Sequence, residues 1–259
     1  MSHEPLLKIA VLTATLVAHY YATTPPRPPP APEEKVPSGV AQGFESAIPW
    51  IRVITGTFVS VSLASDVLVT ATLVYPDLIT FPPSASQALC PRPSPTFDSY
   101  LTHISPFFAL GALLALAGGL LRVWCYRVLG ELFTYEVAVR ASHTLVQRGP
   151  YAFVRHPSYT AVVLHLAGIA FLLFEPGSWG RACGLTHIQS AGGCGVGVEV
   201  VTWGVWAWMG AVWALTAIYT SVGMWRRGAV EDAVLRARFG DVWDAYARAV
   251  PWRFIPGLP

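Results

Sequence analysis

The sequence predicts an all-α fold, a polytopic transmembrane helix bundle of about five spans with a cytoplasmic C-terminal amphipathic helix. Three observations predict it. Of 259 residues, 53% are hydrophobic and 12% charged, and soluble chains use about 25% charged residues to cover their surface. Five windows approach the roughly 20 apolar residues needed to cross a bilayer core. Lys and Arg then divide 14 to 3 between the two sides those windows define, and positive residues near span ends stay on the cytoplasmic side.

The first window, residues 6–22, is read as a retained span rather than a cleavable leader. Lys8 lies inside it, and His19-Tyr20-Tyr21 occupies the place of a small-residue cleavage site. Residues 1–24 form this first unit and 25–47 a linker. The run Pro25-Pro26-Arg27-Pro28-Pro29-Pro30 lacks the backbone donors a helix needs. A plain spacer is the favoured reading of that run, ahead of a docking segment for an SH3-like partner.

Residues 48–126 hold the second window, 48–75, the third, 104–126, and a Pro- and Ser-rich loop between them. Asp66 in the second window is an intramembrane carboxylate, which must be paired or hydrated. Ser60, Ser62 and Ser65 are the neighbours expected to hydrogen-bond it.

Residues 127–259 form the remaining unit. A polar segment, 127–158, precedes a short fourth window at 160–174. A Gly-rich loop then leads to the fifth window, 198–225, and a polar segment from 226 to the C-terminus. The run Trp203, Trp206, Trp208 and Trp213 is read as helix packing ahead of a lipid entry. Val230, Val234 and Ala237, then Val242, Tyr246 and Val250, recur at helical spacing. They describe a polar-faced helix lying against the membrane surface and interrupted near Gly240.

Composition excludes several classes. Seventeen basic against 15 acidic residues, with no long basic run, do not suggest a nucleic-acid partner. Four cysteines without a CxxC pair point to neither structural zinc nor a disulfide scaffold. His143 and His156 have no acidic or thiol companion at ligand spacing, so no metal is expected. No long-period repeat marks a duplicated transporter. The predicted topology puts Cys90, Cys183 and Cys194 on the non-cytoplasmic side, where a Cys183–Cys194 disulfide is permitted.

The two cytoplasmic segments carry most of the ionisable residues. Between 143 and 159 stand two histidines, two arginines and two tyrosines, punctuated by Gly149-Pro150 and Pro157, which turn the chain. An interfacial belt and a ligand-binding loop are both open readings. Arg227 and Glu231, four apart, share a helical face. Spacing favours a surface ion pair over contacts from each to a different ligand group.

Five blocks decide between these readings. They are Leu121-Arg122-x-Trp124; Leu129-Gly130-x-x-Phe133-Thr134; His143-Thr144-Leu145-Val146 with Gly149-x-Tyr151; Arg155-His156-Pro157-Ser158-Tyr159; and Glu231-Asp232 through Phe239-Gly240, Trp243, Tyr246 and Val250-Pro251. In this order and spacing the chain resembles the isoprenylcysteine carboxyl methyltransferase family, in a fungal-looking version. The resemblance runs from about residue 120 to the C-terminus.

That resemblance implies methyl transfer from S-adenosylmethionine to the C-terminal carboxylate of farnesylated or geranylgeranylated cysteine, on prenylated CaaX proteins at the endoplasmic reticulum membrane. It implies that His143, Thr144, Leu145, Val146, Tyr151, His156, Pro157, Ser158, Tyr159 and Glu231 hold the cofactor. Arg227 is the residue expected to bind the prenylcysteine carboxylate and orient it for reaction. Asp232 stands where the family often has Glu and Ala161 where it often has Gly, while Glu136 and Ala138 compete for the place of a Gln that contacts the cofactor in some members.

The chemistry is compatible with these residue types. A carboxylate of reference pKa near 3.5 is already ionised, so the transfer needs positioning rather than a general base. A planar guanidinium fixes a carboxylate by two parallel hydrogen bonds. A phospholipid N-methyltransferase would share the cofactor pattern without needing that arginine. A sterol reductase would share the aromatic tail from Val250 to Gly257, and a non-catalytic adaptor would use the Pro-rich linker.

Overall fold

Among the described residues, five helices are long and apolar enough to cross a membrane, spanning Glu4–Thr23, Gly43–Val74, Pro106–Leu132, Pro157–Ala182 and Ala207–Phe239. The computed structural model describes residues 3–30, 32–34, 39–91, 97–135, 144–183 and 198–258. Its helices are α1 (Glu4–Thr23), α2 (Gly39–Val74), α3 (Pro83–Leu89), α4 (Phe97–Thr102), α5 (Pro106–Leu129), α6 (Pro157–Phe174), α7 (Trp179–Ala182), α8 (Val198–Phe239) and α9 (Asp241–Ala249). No β-strand occurs among the described residues. The expected all-α polytopic bundle is the architecture observed.

Helix starts follow local chemistry. Proline occupies the first turn of α1, α5 and α6, where its missing N–H costs no hydrogen bond. Ser105 caps α5 by accepting from the Phe108 N–H at 2.9 Å. The helices associate through small residues. A Cβ on Gly118 of α5 would lie 2.5 Å from the His165 N and 2.6 Å from the Ala161 carbonyl of α6. Gly168 of α6 meets the backbone of Gly111 and Ala115 equally closely. Lipid tails are as apolar as leucine, so such backbone approach, and the dispersion contacts it permits, holds the pair together.

Four features depart from the sequence reading. α2 begins at Gly39 and carries Pro49 within it, so part of the expected linker is helical. α8 does not end at Trp225 but runs unbroken to Phe239. Residues 226–239 therefore continue the helix of the fifth span rather than forming a separate one. The interruption at Gly240 is present: it adopts φ +53° before α9, a conformation favoured by glycine.

The third departure is the disulfide. Cys183 bonds to Cys90, across 93 residues, and not to Cys194, which lies outside the described residues. The bond ties the chain after α3 to the end of α7, and Trp179 Nε1 donates to the Leu89 carbonyl at 2.8 Å beside it.

The fourth concerns Asp66, whose partners are Lys8, Trp179 and Thr70 rather than the nearby serines. Lys8 Nζ of α1 stands 3.5 Å from Asp66 Oδ1, and the Trp179 N–H donates to Oδ2 at 2.9 Å. Thr70 Oγ1 donates to Oδ1 at 3.3 Å. Ser62 instead donates to the Phe58 carbonyl. Lys8, fully buried, also donates to the Gly177 carbonyl at 2.8 Å. An intramembrane charge persists only with such compensation.

Candidate functional site

At the opposite end of the bundle from Lys8 and Asp66, α1 and α5 end, α2 and α6 begin, and the last turns of α8 stand beside them. A cavity of about 130 Å³ opens here. The first polar loop is shaped to line it. Gly149 adopts φ +63° against Val128 of α5, which only glycine does without strain, and seats the turn Gly149–Ala152 on that helix. Tyr151 is thereby buried, and Tyr246 of α9 donates to its carbonyl at 2.7 Å.

The C-terminal tail straps this loop in place. Arg155 N donates to the Trp252 carbonyl at 2.9 Å and His156 N to the Arg253 carbonyl at 2.8 Å. Thr160 Oγ1 donates to the Phe254 carbonyl at 2.6 Å. The Phe254 ring stacks on Trp225 and packs on His156, above Gly228, where a side chain would collide with it.

Two adjacent carboxylates of α8 organise the polar groups. Glu231 accepts from Arg227 Nε at 2.9 Å and from the Tyr159 hydroxyl at 2.5 Å, and lies 3.4 Å from His156 Nδ1. Asp232 meets His156 Nε2 at 2.9 Å, Arg253 Nε at 2.9 Å and Arg155 at 3.5 Å. Burial alone would lower the His156 pKa, but hydrogen bonds and charges from Asp232 and Glu231 outweigh it, and the imidazole is held above its ordinary value. Its two ring nitrogens face the two carboxylates, Nδ1 toward Glu231 and Nε2 toward Asp232. Burial raises the hydroxyl pKa of Tyr151 well above the usual phenol value and raises that of Tyr246 as well, so both stay neutral.

Of the expected cofactor residues, Thr144, Leu145, Val146, Tyr151, His156, Ser158, Tyr159 and Glu231 line the cavity, together with Arg227. Pro157 is buried at the first turn of α6. His143 lies outside the described residues, as do Glu136 and Ala138. The interfacial-belt reading fails for both tyrosines of the loop, which are buried rather than at the periphery. Arg227 and Glu231 do form an ion pair, but a buried one, and Arg227 has further partners in Glu45 at 3.4 Å and the Tyr135 carbonyl. Among the tryptophans, Trp213 is buried against Phe174 and Trp208 is exposed; the side chains of Trp203 and Trp206 are outside the described residues.

Sequence reasoning left several lining residues without a role. Arg122 is buried; it donates to the Ser158 hydroxyl and to its carbonyl at 3.1 Å, and to the Tyr126 hydroxyl at 2.9 Å. Its guanidinium lies over the rings of Tyr126, Phe133 and Tyr135, 5.1 to 5.4 Å from their centroids. A cation inside an apolar window was the available signal. Arg155 also lines the cavity, and its buried Nε has no partner among the described residues. Nothing local in the sequence announced that, because it depends on where the tail folds back.

The chain carries no group of three or more His, Cys, Asp or Glu placed to hold a metal among the described residues. Residues 110–185 match the profile of the isoprenylcysteine carboxyl methyltransferase family, a stretch that includes the blocks from Leu121 to Tyr159 and supports the resemblance read from them. The matched stretch covers most of α5, the first polar loop, α6 and α7 and stops before α8. No curated protein and no solved structure matches the chain.

Proposed function

We propose that this membrane protein transfers the methyl group of S-adenosylmethionine to the α-carboxylate of a prenylated cysteine, forming a methyl ester. One observation carries the proposal: Arg227 lines both the cavity and a second groove, whose other walls are Phe44, Tyr219, Val222, Gly223 and Val230 with the exposed Arg226 at its edge. Tyr219 and Val222 are nearly half exposed on the apolar face of α8. A single buried guanidinium thus adjoins a chamber suited to a water-soluble donor and a groove suited to a hydrocarbon chain. A prenylated acid needs both, since each buried CH₂ favours lipid by about 0.8 kcal/mol. A phospholipid amine gives no reason for the cation.

The cavity residues fit the cofactor by chemistry. Leu145, Val146, Val234, Leu235 and Trp243 supply apolar walls, and the unpartnered Arg155 Nε suits a carboxylate or a ribose hydroxyl. His143 to Val146, Tyr151, His156 to Tyr159 and Glu231 would hold it. When bound, it supplies a methyl on a sulfonium centre: a carboxylate oxygen forms the new C–O bond as the C–S bond breaks, leaving a neutral thioether and a neutral ester with no proton moved.

The residues of this chain then have only positioning to do. Arg227 orients the acceptor carboxylate, and Glu231 fixes Arg227 while Tyr159 and His156 fix Glu231. Tyr151 and the tail at Phe254 close the site against water. Correct alignment is worth roughly 7 to 11 kcal/mol of barrier. Prenylated CaaX proteins are the substrates this reading names, at the endoplasmic reticulum membrane, with the Arg227 end of the bundle in the cytoplasm.

The test is incubation of the purified protein with radiolabelled S-adenosylmethionine and N-acetyl-S-farnesylcysteine. Label in the lipid product that is released by mild base is the expected result. Label that survives base points to amine methylation and overturns the reading.

A further inference from the structure

We infer that Glu45 is a stand-in carboxylate, holding Arg227 and yielding it only to an acid, so that the site admits acids and expels esters. The inference rests on the proposed reading of Arg227 as the acceptor's anchor. Arg227 is buried and paired with two carboxylates of different origin. Glu231 belongs to its own helix and is also held by Tyr159 and His156. Glu45 arrives from the first turns of α2, at 3.4 Å and more loosely than the 2.9 Å of Glu231.

Glu45 also has somewhere else to go. It lines a second cavity with Arg27 and Arg52, walled by the prolines from Pro25 to Pro30. Phe133 and Tyr135 line both cavities, so a short swing carries the Glu45 carboxylate from one cation to a pair of others. An incoming carboxylate replaces it on Arg227 without leaving either charge uncompensated, which is the condition for exchanging partners in a low-dielectric site.

The neighbouring residue couples this exchange to access. Phe44 rests on Gly223, where a Cβ would overlap its ring, and packs with Tyr159, Met224 and Phe254. It therefore forms one wall of the groove onto which Arg227 faces. Releasing Glu45 frees the α2 turn that carries Phe44, so the acid that takes Arg227 also loosens that wall of the groove. Once esterified, the product has no charge to hold Arg227; Glu45 returns and Phe44 reseats on Gly223.

The experiment compares wild type with Glu45→Gln, which keeps size and hydrogen bonding but cannot compete as an anion. Binding of N-acetyl-S-farnesylcysteine and of its methyl ester to the full chain in lipid nanodiscs is measured beside label transfer. The expected result is acid affinity raised at least about fivefold, the low end of ordinary coupling between sites, with ester affinity unchanged and a lower KM for the acid. Phe44→Leu is expected to shift acid and ester together. Acid and ester tightening equally in Glu45→Gln, no change in the acid, or weaker acid binding overturns the inference. Selective tightening without methyl transfer by wild type would sink the proposed function and leave the Glu45 exchange standing; methyl transfer without the selective effect does the reverse.

Discussion

His156 and Arg227 close on the same carboxylate, Glu231, at 3.4 and 2.9 Å, although one precedes α6 and the other lies deep in α8. The loop and the helix end that carry the ionisable residues therefore form one site. Glu231 sits among a guanidinium, an imidazole and a phenol, and each member is oriented by the others.

This arrangement makes the Arg227–Glu231 pair a unit. Arg227→Ala and Glu231→Ala are each expected to destabilise the protein by about 3–5 kcal/mol, because a buried charge is left behind. Arg227→Met with Glu231→Leu should recover part of that stability, since Glu45 and His156 each lose a partner, but no activity. Thermal unfolding in detergent measures the first effect. Calorimetry separates the roles: Arg227→Ala should lose prenylcysteine affinity and largely keep cofactor affinity, and Glu231→Ala the opposite. Exchanged losses would exchange the assignments.

The Lys8–Asp66 pair supports α1 against α2 without any contact with the cavity. Lys8→Met should cost about 3–5 kcal/mol by stranding Asp66, and adding Asp66→Leu should restore much of it. A double variant no more stable than the single one contradicts a purely structural role for the pair.

Cys90→Ser and reduction of the disulfide should each lower stability by about 2–4 kcal/mol, through the longer loop left free in the unfolded chain. Cys194→Ser should change nothing in that assay, since Cys194 is not the partner of Cys183. Loss of the stability difference between oxidised and reduced protein in Cys194→Ser would reassign the bond.

His156 predicts the pH behaviour. Its folded pKa is raised above an unfolded value of about 6.5, so the folded state holds the proton more tightly. The stability this contributes is fully present below pH ~6.5 and fades as pH rises through the higher folded value. The thermal midpoint of wild type relative to His156→Asn should therefore be greatest in mild acid and shrink toward alkaline pH. A difference that grows with pH contradicts a raised pKa for His156 in the folded protein.

The sequence by itself determined the class of protein and the end of the bundle where the polar residues gather. Those features follow from the apolar length a bilayer requires and from the segregation of Arg and Lys, both of which are properties of the linear chain. It also showed which loop residues belong together, because glycine and proline at Gly149, Pro150 and Pro157 act locally. Only the tertiary structure decided that Lys8 is the partner of Asp66, that Cys90 is the partner of Cys183, and that Glu45 reaches Arg227. Each joins segments with no sequence relationship, and spacing along one chain cannot report which buried charges share a low-dielectric pocket. The continuation of α8 beyond Trp225 was missed for a related reason. Arg226 and Arg227 look like the end of a span until Glu45, Glu231 and the Tyr135 carbonyl are seen to compensate the buried Arg227, and a helix that satisfies its charges inside the protein has no need to stop at them.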